Sequence, residues 1–522
     1  MAHSDIANHT TIKNSRQATI WSGNREISVG DLNERASRAA SGFRAMGVVE
    51  GDCIALFLRN DFAFFEASSG AKMAGIFPVP INWHSTAEEA GYILRDCGAK
   101  ALVVHEDLYS QIEEGLPEGL KVLVVPTPEE LCEAYRISDW VKPSGEVFQW
   151  YEWLGGYSPI TDPADATSFA VIYTSGTTGH PKGVRREISR TPVNLNKRTM
   201  PYGLDTPGEK VVLMNGPMYH SAPNSYASLA VGIGSSVVLQ PRFDAEEMLA
   251  LIEQYRVTHM HIVPTMFVRL LKLPREVRER YDVSSLTSVI HGAAPCPLEV
   301  KKEMIKWWGP VINEYYGSTE TGLVALNTSE GALRKPGSVG KALPNAAVKI
   351  YDDDGNELGP GEIGDIYARS WNNPDFTYIG DDEKRRGIGR GELVTVGDVG
   401  YLDEEGFLYL CDRKRDMIIS GGVNIYPAEI EAALVTISGI KDCAVFGIPH
   451  EEFGETICAY IELMDGADLD ADAIRDELGR HISKFKVPRV VKIVDSLPRE
   501  DSGKIFKRKL REPYWADRGR MI

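Results

Sequence analysis

Apolar positions along the first third of the chain recur with two periods. After Ser28, the residues Leu32, Ala36, Ala39, Ala40 and Phe43 fall at helical spacing, which predicts an amphipathic helix ending near Gly47. Short apolar runs follow: 53–57 reads as a strand, 62–74 as a helix, 77–81 as a strand, and 88–97 as a helix leading into a strand at 101–104. This alternation predicts a largely parallel sheet covered on both faces. Farther on, 169–173 and 211–214 read as strands, each running into a loop of glycine, hydroxyl or aromatic residues, and the loop after 169–173 is expected at the end of a parallel sheet. Near the C-terminus, 443–446, 457–461 and 490–494 read as strands accompanied by a helix at 471–481, a compact α+β lobe.

A chain of 522 residues with 43% hydrophobic content is too long for one core and is expected to divide into at least two domains. The dense charge run 412–416, followed by Ile418, Ile419 and two glycines, has the composition of an exposed connection between them. A net charge of -17 argues against a general nucleic-acid binder, so an anionic ligand needs a local basic site. The seven cysteines are odd in number and free of C-x-x-C spacing, which favours a reducing compartment over a disulfide framework or zinc site. Residues 1–16 are polar, and no run approaches the ~18 apolar residues of a membrane span, so a cytoplasmic protein without integral membrane association is expected.

The run 174–183, Thr-Ser-Gly-Thr-Thr-Gly-His-Pro-Lys-Gly, carries the clearest chemistry. Gly176, Gly179 and Gly183 let the backbone approach a bulky anion, Thr174, Ser175, Thr177 and Thr178 offer hydroxyls, and Lys182 adds a positive charge, which together suit a polyphosphate. The Walker pattern does not fit, because Gly176 and Gly179 are too close and Pro181 and Gly183 flank the lysine. A solvated turn is the alternative for such a loop taken alone. A second cluster, His291-Gly292-Ala293-Ala294 with Tyr315-Tyr316-Gly317-Ser318-Thr319-Glu320-Thr321, joins small residues with room for a flat ligand to an aromatic face at Tyr316.

With Tyr173 before it, the 174–183 run closely resembles the signature loop of the adenylate-forming superfamily, which contains acyl- and aryl-CoA synthetases, peptide-synthetase adenylation domains and firefly luciferase; matches continue almost to the C-terminus. The resemblance implies an ATP/AMP site in which Thr174, Ser175, Gly176, Thr177, Thr178, Gly179 and Lys182 hold phosphates. Gly292, Ala293 and Tyr316 would line the base, Thr319 would contact the α-phosphate, Glu320 would hold Mg2+, and Ala294, Gly317 and Ser318 would belong to the same ATP/AMP site. Asp398 stands in a Val-Gly-Asp version of the family's Thr-Gly-Asp motif, with Val396 in place of the threonine, and would bind the ribose hydroxyls, while Arg413 would contact ribose or phosphate. Tyr219, His220, Gly292, Thr321 and Gly322 would border the acyl pocket, with Tyr219 or His220 as its gate. Gly421 and Gly422 would lie at the thiol tunnel, and Phe485 and Lys486 would contact coenzyme A, although Val487 stands where some relatives place a basic residue. Lys504, in Pro-Arg-Glu-Asp-Ser-Gly-Lys-Ile, matches the catalytic lysine, and Thr174, Glu320 and His220 complete the implied catalytic set.

The fold so implied is α/β: a large N-terminal domain, 1–414, of mixed, largely parallel sheets packed with helices, and a small mobile α+β lid, 415–522, joined at a hinge about 413–416 centred on Arg415. The implied activity is that of an acid:CoA ligase using ATP, Mg2+ and coenzyme A. An adenylating enzyme serving a carrier protein, a luciferase-like oxidation and a noncatalytic binding protein are the alternatives. The small, apolar pocket candidates, with no arginine poised for a second carboxylate, point to a hydrophobic monocarboxylic acid, with a medium or long aliphatic chain favoured over aryl or steroid-side-chain acids. A homodimer is a family-level implication only.

Overall fold

A computed structural model of the chain describes residues 18–143, 147–174, 181–191, 194–414, 416–420, 423–464, 466–499 and 505–515. Among these the strands form four sheets. The predicted amphipathic helix is Val29–Ala45; the Ser28 hydroxyl accepts from the Asp31 N–H at its start, and Leu32, Ala36, Ala39, Ala40 and Phe43 are fully buried. It packs against the helix Phe62–Met73, where Gly70 permits close approach: a Cβ there would lie 2.6 Å from the Ala36 carbonyl oxygen.

The strands Phe77–Pro80, Cys53–Phe57, Ala101–His105, Lys121–Val125 and Val147–Gln149 lie side by side in that order, each neighbour parallel. Unbroken burial of Cys53–Phe57 and Ala101–His105 is what strands covered on both faces require. A larger sheet runs parallel through Ser236–Leu239, Val211–Met214, His259–Ile262, Ser288–His291 and Ile312–Ser318. It then turns antiparallel through Gly322–Asn327, Ser338–Ala342, Phe407–Arg413 and Asp398–Leu402. The turn carrying Thr319 and Glu320 therefore sits at the carboxyl end of a parallel strand, the end where open α/β sheets bind ligands.

The strand expected at 169–173 differs from its prediction. It is Ile172–Thr174, and it belongs to neither parallel sheet. Together with Lys182–Arg186 and Phe376–Tyr378 it forms a three-stranded antiparallel sheet, because the chain returns within a few residues and pairs with itself, where a parallel neighbour needs a long crossover.

The last sheet contains only strands from residue 418 onward: Ile418–Ser420, Val423–Ile425, Ile440–His450, Gly454–Leu463 and Val490–Val494. Its core joins Ile418, Val445 and Ile461 to Ile430 and Leu434 of the helix Pro427–Leu434 and to Ile474 and Leu478 of Ala471–His481. A closing helix, Lys507–Trp515, sets Leu510 and Tyr514 against Phe446. The chain is thus mixed α/β, with a large N-terminal part of mostly parallel sheets and a smaller C-terminal α+β part. All seven cysteines are free, and among the described residues no helix is long and apolar enough to cross a membrane.

Candidate active site

The hairpin and the acidic turn meet edge to edge. Thr174 pairs with Lys182 across the hairpin, and Tyr378 pairs with Val184 on the other side. The Tyr378 hydroxyl donates to Glu320 Oε1 at 3.0 Å, and the Thr174 hydroxyl lies 3.5 Å from the same oxygen. Burial and the Glu320 charge both raise the Tyr378 pKa, so the phenol stays a donor. Lys182 Nζ is 3.4 Å from Asp381, whose pKa is lowered chiefly by the Lys384 N–H and further by Lys182. Gly183 is required here: a Cβ would lie 2.9 Å from the Tyr173 ring, whose hydroxyl is held by Asp96 at 2.6 Å.

The turn beneath Glu320 is fixed from within and from outside. The Ser318 hydroxyl accepts from the N–H groups of Glu320 and Thr321 at 3.2 and 3.0 Å, while the Thr321 hydroxyl accepts from the Ser318 N–H at 2.9 Å. Gly317 admits the returning strand, since a Cβ would be 2.2 Å from the Gly322 carbonyl oxygen. From outside, the Arg186 guanidinium donates to the carbonyls of Thr319 at 2.6 Å, Glu320 at 3.2 Å and Pro374 at 2.8 Å. Burial lowers the Arg186 pKa to about 10, so it remains a cation at neutral pH.

On the far side of Tyr316 the ribose candidates come together. The Tyr316 hydroxyl donates to Asp398 at 2.7 Å, and Arg413, opposite Asp398 in the strand register, approaches the same carboxylate at 3.3 Å. Burial and Asp398 hold the Tyr316 pKa well above its ordinary value. Gly292 packs on Tyr315, where a Cβ would be 2.6 Å from the ring, and exposed Ala293 adopts φ +66°, a left-handed conformation rare outside glycine. Ala294, half-buried, follows it.

Other expectations fare differently. Tyr219 turns into the hydrophobic core under the first sheet, 5% exposed, which leaves half-buried His220, at the start of the helix Ser221–Gly232, as the open member of the pair. Thr321 and Gly322 are buried in the turn, with the Thr321 hydroxyl occupied there, so they support the site from below and do not form the expected pocket wall. Phe485 is exposed and Lys486 is paired with Glu429 at 2.6 Å. Ser175, Gly176, Thr177, Thr178, Gly179, Arg415, Gly421, Gly422 and Lys504 lie outside the described residues. The ends of the Lys504 segment are tied together by a bridge between Arg499 and Ile505.

The sequence reading missed Arg186, Tyr378 and Asp381. Arg186 had a signal: in a strand, residues 182, 184 and 186 share one face, so an arginine four residues past Lys182 points the same way. Tyr378 and Asp381 had none, since they reach the hairpin from nearly two hundred residues away.

A carboxylate beside a phosphate-type hairpin, with a tyrosine and an aspartate behind it, is a set of groups that can hold a nucleotide through its phosphates and ribose. Residues 8–373 match the AMP-binding enzyme family, and residues 429–504 match the AMP-binding enzyme C-terminal domain. The chain belongs to the AMP-binding enzyme family. Among its relatives, the long-chain-fatty-acid–CoA ligase FadD13 of Mycobacterium tuberculosis is 31% identical over 498 residues, covering 94% of this chain and 93% of that protein. The indoleacetate–CoA ligase of Aromatoleum aromaticum is 31% identical over 495 residues, with 94% and 93% covered. The ATP-bound crystal structure of MatB from Rhodopseudomonas palustris superimposes with a TM-score of 0.82 at 29% identity, covering 97% of each chain. In this AMP-binding enzyme, Glu320 suits the hard-oxygen preference of Mg2+, being a half-buried carboxylate facing two hydroxyls.

Two basic side chains lie near the helix that follows His220. Lys72 Nζ reaches 3.5 Å from the Ser228 hydroxyl on the helix that follows His220, and Arg198 stacks on Phe169 at 5.0 Å nearby.

Proposed function

We propose that this AMP-binding enzyme is an acid:CoA ligase: a carboxylate attacks the α-phosphorus of ATP, giving acyl-AMP and pyrophosphate, and coenzyme A then takes the acyl group and releases AMP. The observation that carries the reading is the convergence of Thr174 and Tyr378 on Glu320, with Lys182 beside Asp381 on the same hairpin and the Tyr316–Asp398–Arg413 set behind the turn. Lys182 and the hydroxyls of the hairpin hold the phosphates of ATP, and Asp398 takes the ribose hydroxyls. Bound at Glu320, Mg2+ would supply positive charge against the crowded phosphate oxygens. Lys504 offsets the charge of the carboxylate and α-phosphate, a role in which one well-placed cation contributes roughly 3 kcal/mol to the transition state.

The mixed anhydride is open to hydrolysis, so a closing C-terminal domain serves to exclude water. That domain, 415–522, rotates about Arg415 between the two half-reactions, withdrawing Lys504 and bringing Gly421 and Gly422 to the thiol path, while His220 gates access to the acyl group. Phe485 and Lys486 stand on the surface this rotation offers to coenzyme A. We read the enzyme as cytoplasmic, where ATP and coenzyme A are available.

The test is AMP release from ATP and Mg2+ across a panel of carboxylic acids, each with and without coenzyme A. The reading expects AMP release that depends on both acid and coenzyme A. Acid-dependent pyrophosphate exchange that coenzyme A does not accelerate points to another acyl acceptor, and absence of AMP formation with every acid overturns the proposal.

A further inference from the structure

The helix Ser221–Gly232 begins immediately after His220, and the side it leaves open is made of small residues: Ser221, Ala222, Ser225 and Ser228 are partly accessible, while Pro223, Asn224, Tyr226, Ala227 and Leu229 are buried. Spacings of three and four residues put these positions on one face. From Ser221 to Ser228 the helix rises about 10 Å. A face of small residues leaves room for a ligand chain beside it.

Two cations wait at that far end. Lys72, from the helix Phe62–Met73, reaches Ser228, and Arg198, from the helix Leu195–Thr199, lies over the buried Phe169 ring and beside Tyr202, whose hydroxyl hydrogen-bonds Ser225. Their charges are close enough to repel, and burial brings the Lys72 pKa down to about 8, with Arg198 adding to the fall. The Arg198 pKa falls for the same reason of burial. Among the described residues no carboxylate forms an ion pair with either. Both keep part of their surface accessible, as groups lining a cleft do. Two other enclosed lysines have an acid partner, Lys301 with Glu314 and Lys507 with Glu431, and the buried Arg186 guanidinium is satisfied by three backbone carbonyls. Two enclosed, mutually repelling cations without an acid are costly unless an anion joins them.

We propose that Lys72 and Arg198 bind a second carboxylate of the substrate, so that the acid activated here is a dicarboxylic acid of medium length whose reacting carboxylate lies at His220 and Glu320 and whose far carboxylate sits between the two cations at Ser228. For its chemistry the proposal rests on the ligase reading above, but diacid binding is measurable without turnover. The hydrocarbon between the two carboxylates lies on the Ser221–Ser228 face, and a monoacid of equal length leaves the cations unmatched.

The experiment compares suberic, azelaic and sebacic acids with octanoic and decanoic acids, measuring AMP formation with ATP, Mg2+ and coenzyme A, and acid binding by titration calorimetry, for the wild type, Lys72→Met, Arg198→Met and Arg198→Lys. Wild-type kcat/KM is expected to favour a diacid over the matched monoacid. Either methionine variant should lose at least about 30-fold in diacid kcat/KM, mainly through KM, while its use of the monoacid improves, and Arg198→Lys should recover part of the loss. Thermal unfolding separates this selectivity change from a failure to fold. Diacid binding that weakens in the variants supports the inference even if no acid turns over, a result that would sink only the ligase reading. Preference for monoacids by the wild type, or equal losses for both acid classes in the variants, overturns the inference and leaves the ligase reading standing.

Discussion

Replacing Arg186 by methionine keeps much of the side chain's bulk and removes the hydrogen bonds that fix the turn bearing Thr319 and Glu320. Three carbonyls lose a charged donor, with bond lengths of 2.6, 2.8 and 3.2 Å. Hydrogen bonds to charged groups contribute ~1.5–3 kcal/mol each, and part of this is offset because a buried cation no longer has to be desolvated. Counting only the two shorter bonds and that offset, the loss is about 3 kcal/mol, enough to let the turn relax. Among the described residues, the Glu320 carboxylate would then be held by Tyr378 and Thr174. A displacement on the order of 1 Å at such a position costs about 100-fold in rate. Acyl-AMP formation, followed by pyrophosphate exchange, is therefore expected to fall about 100-fold in Arg186→Met, with a higher Mg2+ requirement. Thioester formation from supplied acyl-AMP, which does not use the pyrophosphate side of the site, should fall much less. Arg186→Lys restores the charge and one donor direction and should sit between the two. The reasoning is refuted if the methionine variant, folded by circular dichroism, exchanges pyrophosphate at the wild-type rate, or if both half-reactions drop equally.

Lys504→Ala should depress acyl-AMP formation far more than transfer from supplied acyl-AMP; equal losses in rapid-quench assays of the two halves would count against a rotating C-terminal domain. Tyr316→Phe removes one donor to Asp398 and should raise the KM for ATP by roughly five- to tenfold, in keeping with ~1 kcal/mol for the bond, while the KM for the acid stays put. Lys72→Met should be stabilising. The Lys72 pKa falls from 10.5 unfolded to about 8 folded, so below pH 8 the folded state carries a charge that the unfolded chain bears freely. Allowing for its partial exposure, the variant gains about 2 kcal/mol at pH 7, and that gain shrinks as the pH rises from 8 toward 10.5, as denaturant titrations at several pH values will read; a gain independent of pH would contradict it. Lys507→Met leaves Glu431 and nearby Asp412 without their buried cation and should cost the C-terminal part roughly 3–5 kcal/mol, measured by hydrogen exchange of its sheet.

How much of this was legible depended on how far each feature reaches along the chain. The helix Val29–Ala45 could be read because its apolar stripe, its Ser28 cap and its end are all local, and three of the five parallel strands, Cys53–Phe57, Phe77–Pro80 and Ala101–His105, could be read because strand and helix alternate there at short range, whereas Lys121–Val125 and Val147–Gln149 were not read. The strand before the phosphate loop was misassigned for the opposite reason. The five-residue apolar run 169–173 looks alike whether its neighbour is parallel or antiparallel, and only the return of Lys182–Arg186 decides it. Tyr219 and Thr321 stood in the right motifs, but whether a side chain in a motif faces the ligand or the core depends on packing that the motif does not encode.

The acid-binding end of the site illustrates the same limit in its strongest form. Motifs name the residues that handle ATP, because those lie in short runs with their own turn chemistry. On the proposal above, the acid is met by what the surrounding elements bring, a lysine from the second helix and an arginine from a short helix after the hairpin, separated by more than a hundred residues. Neither stands out in sequence, where an isolated Lys or Arg reads as a solvated charge. Enclosure beside Ser228 and Phe169, with no carboxylate paired to them among the described residues, is what the proposal rests on: a net charge of -17 makes anionic partners plentiful elsewhere in the chain, and this pair of cations is kept apart from them.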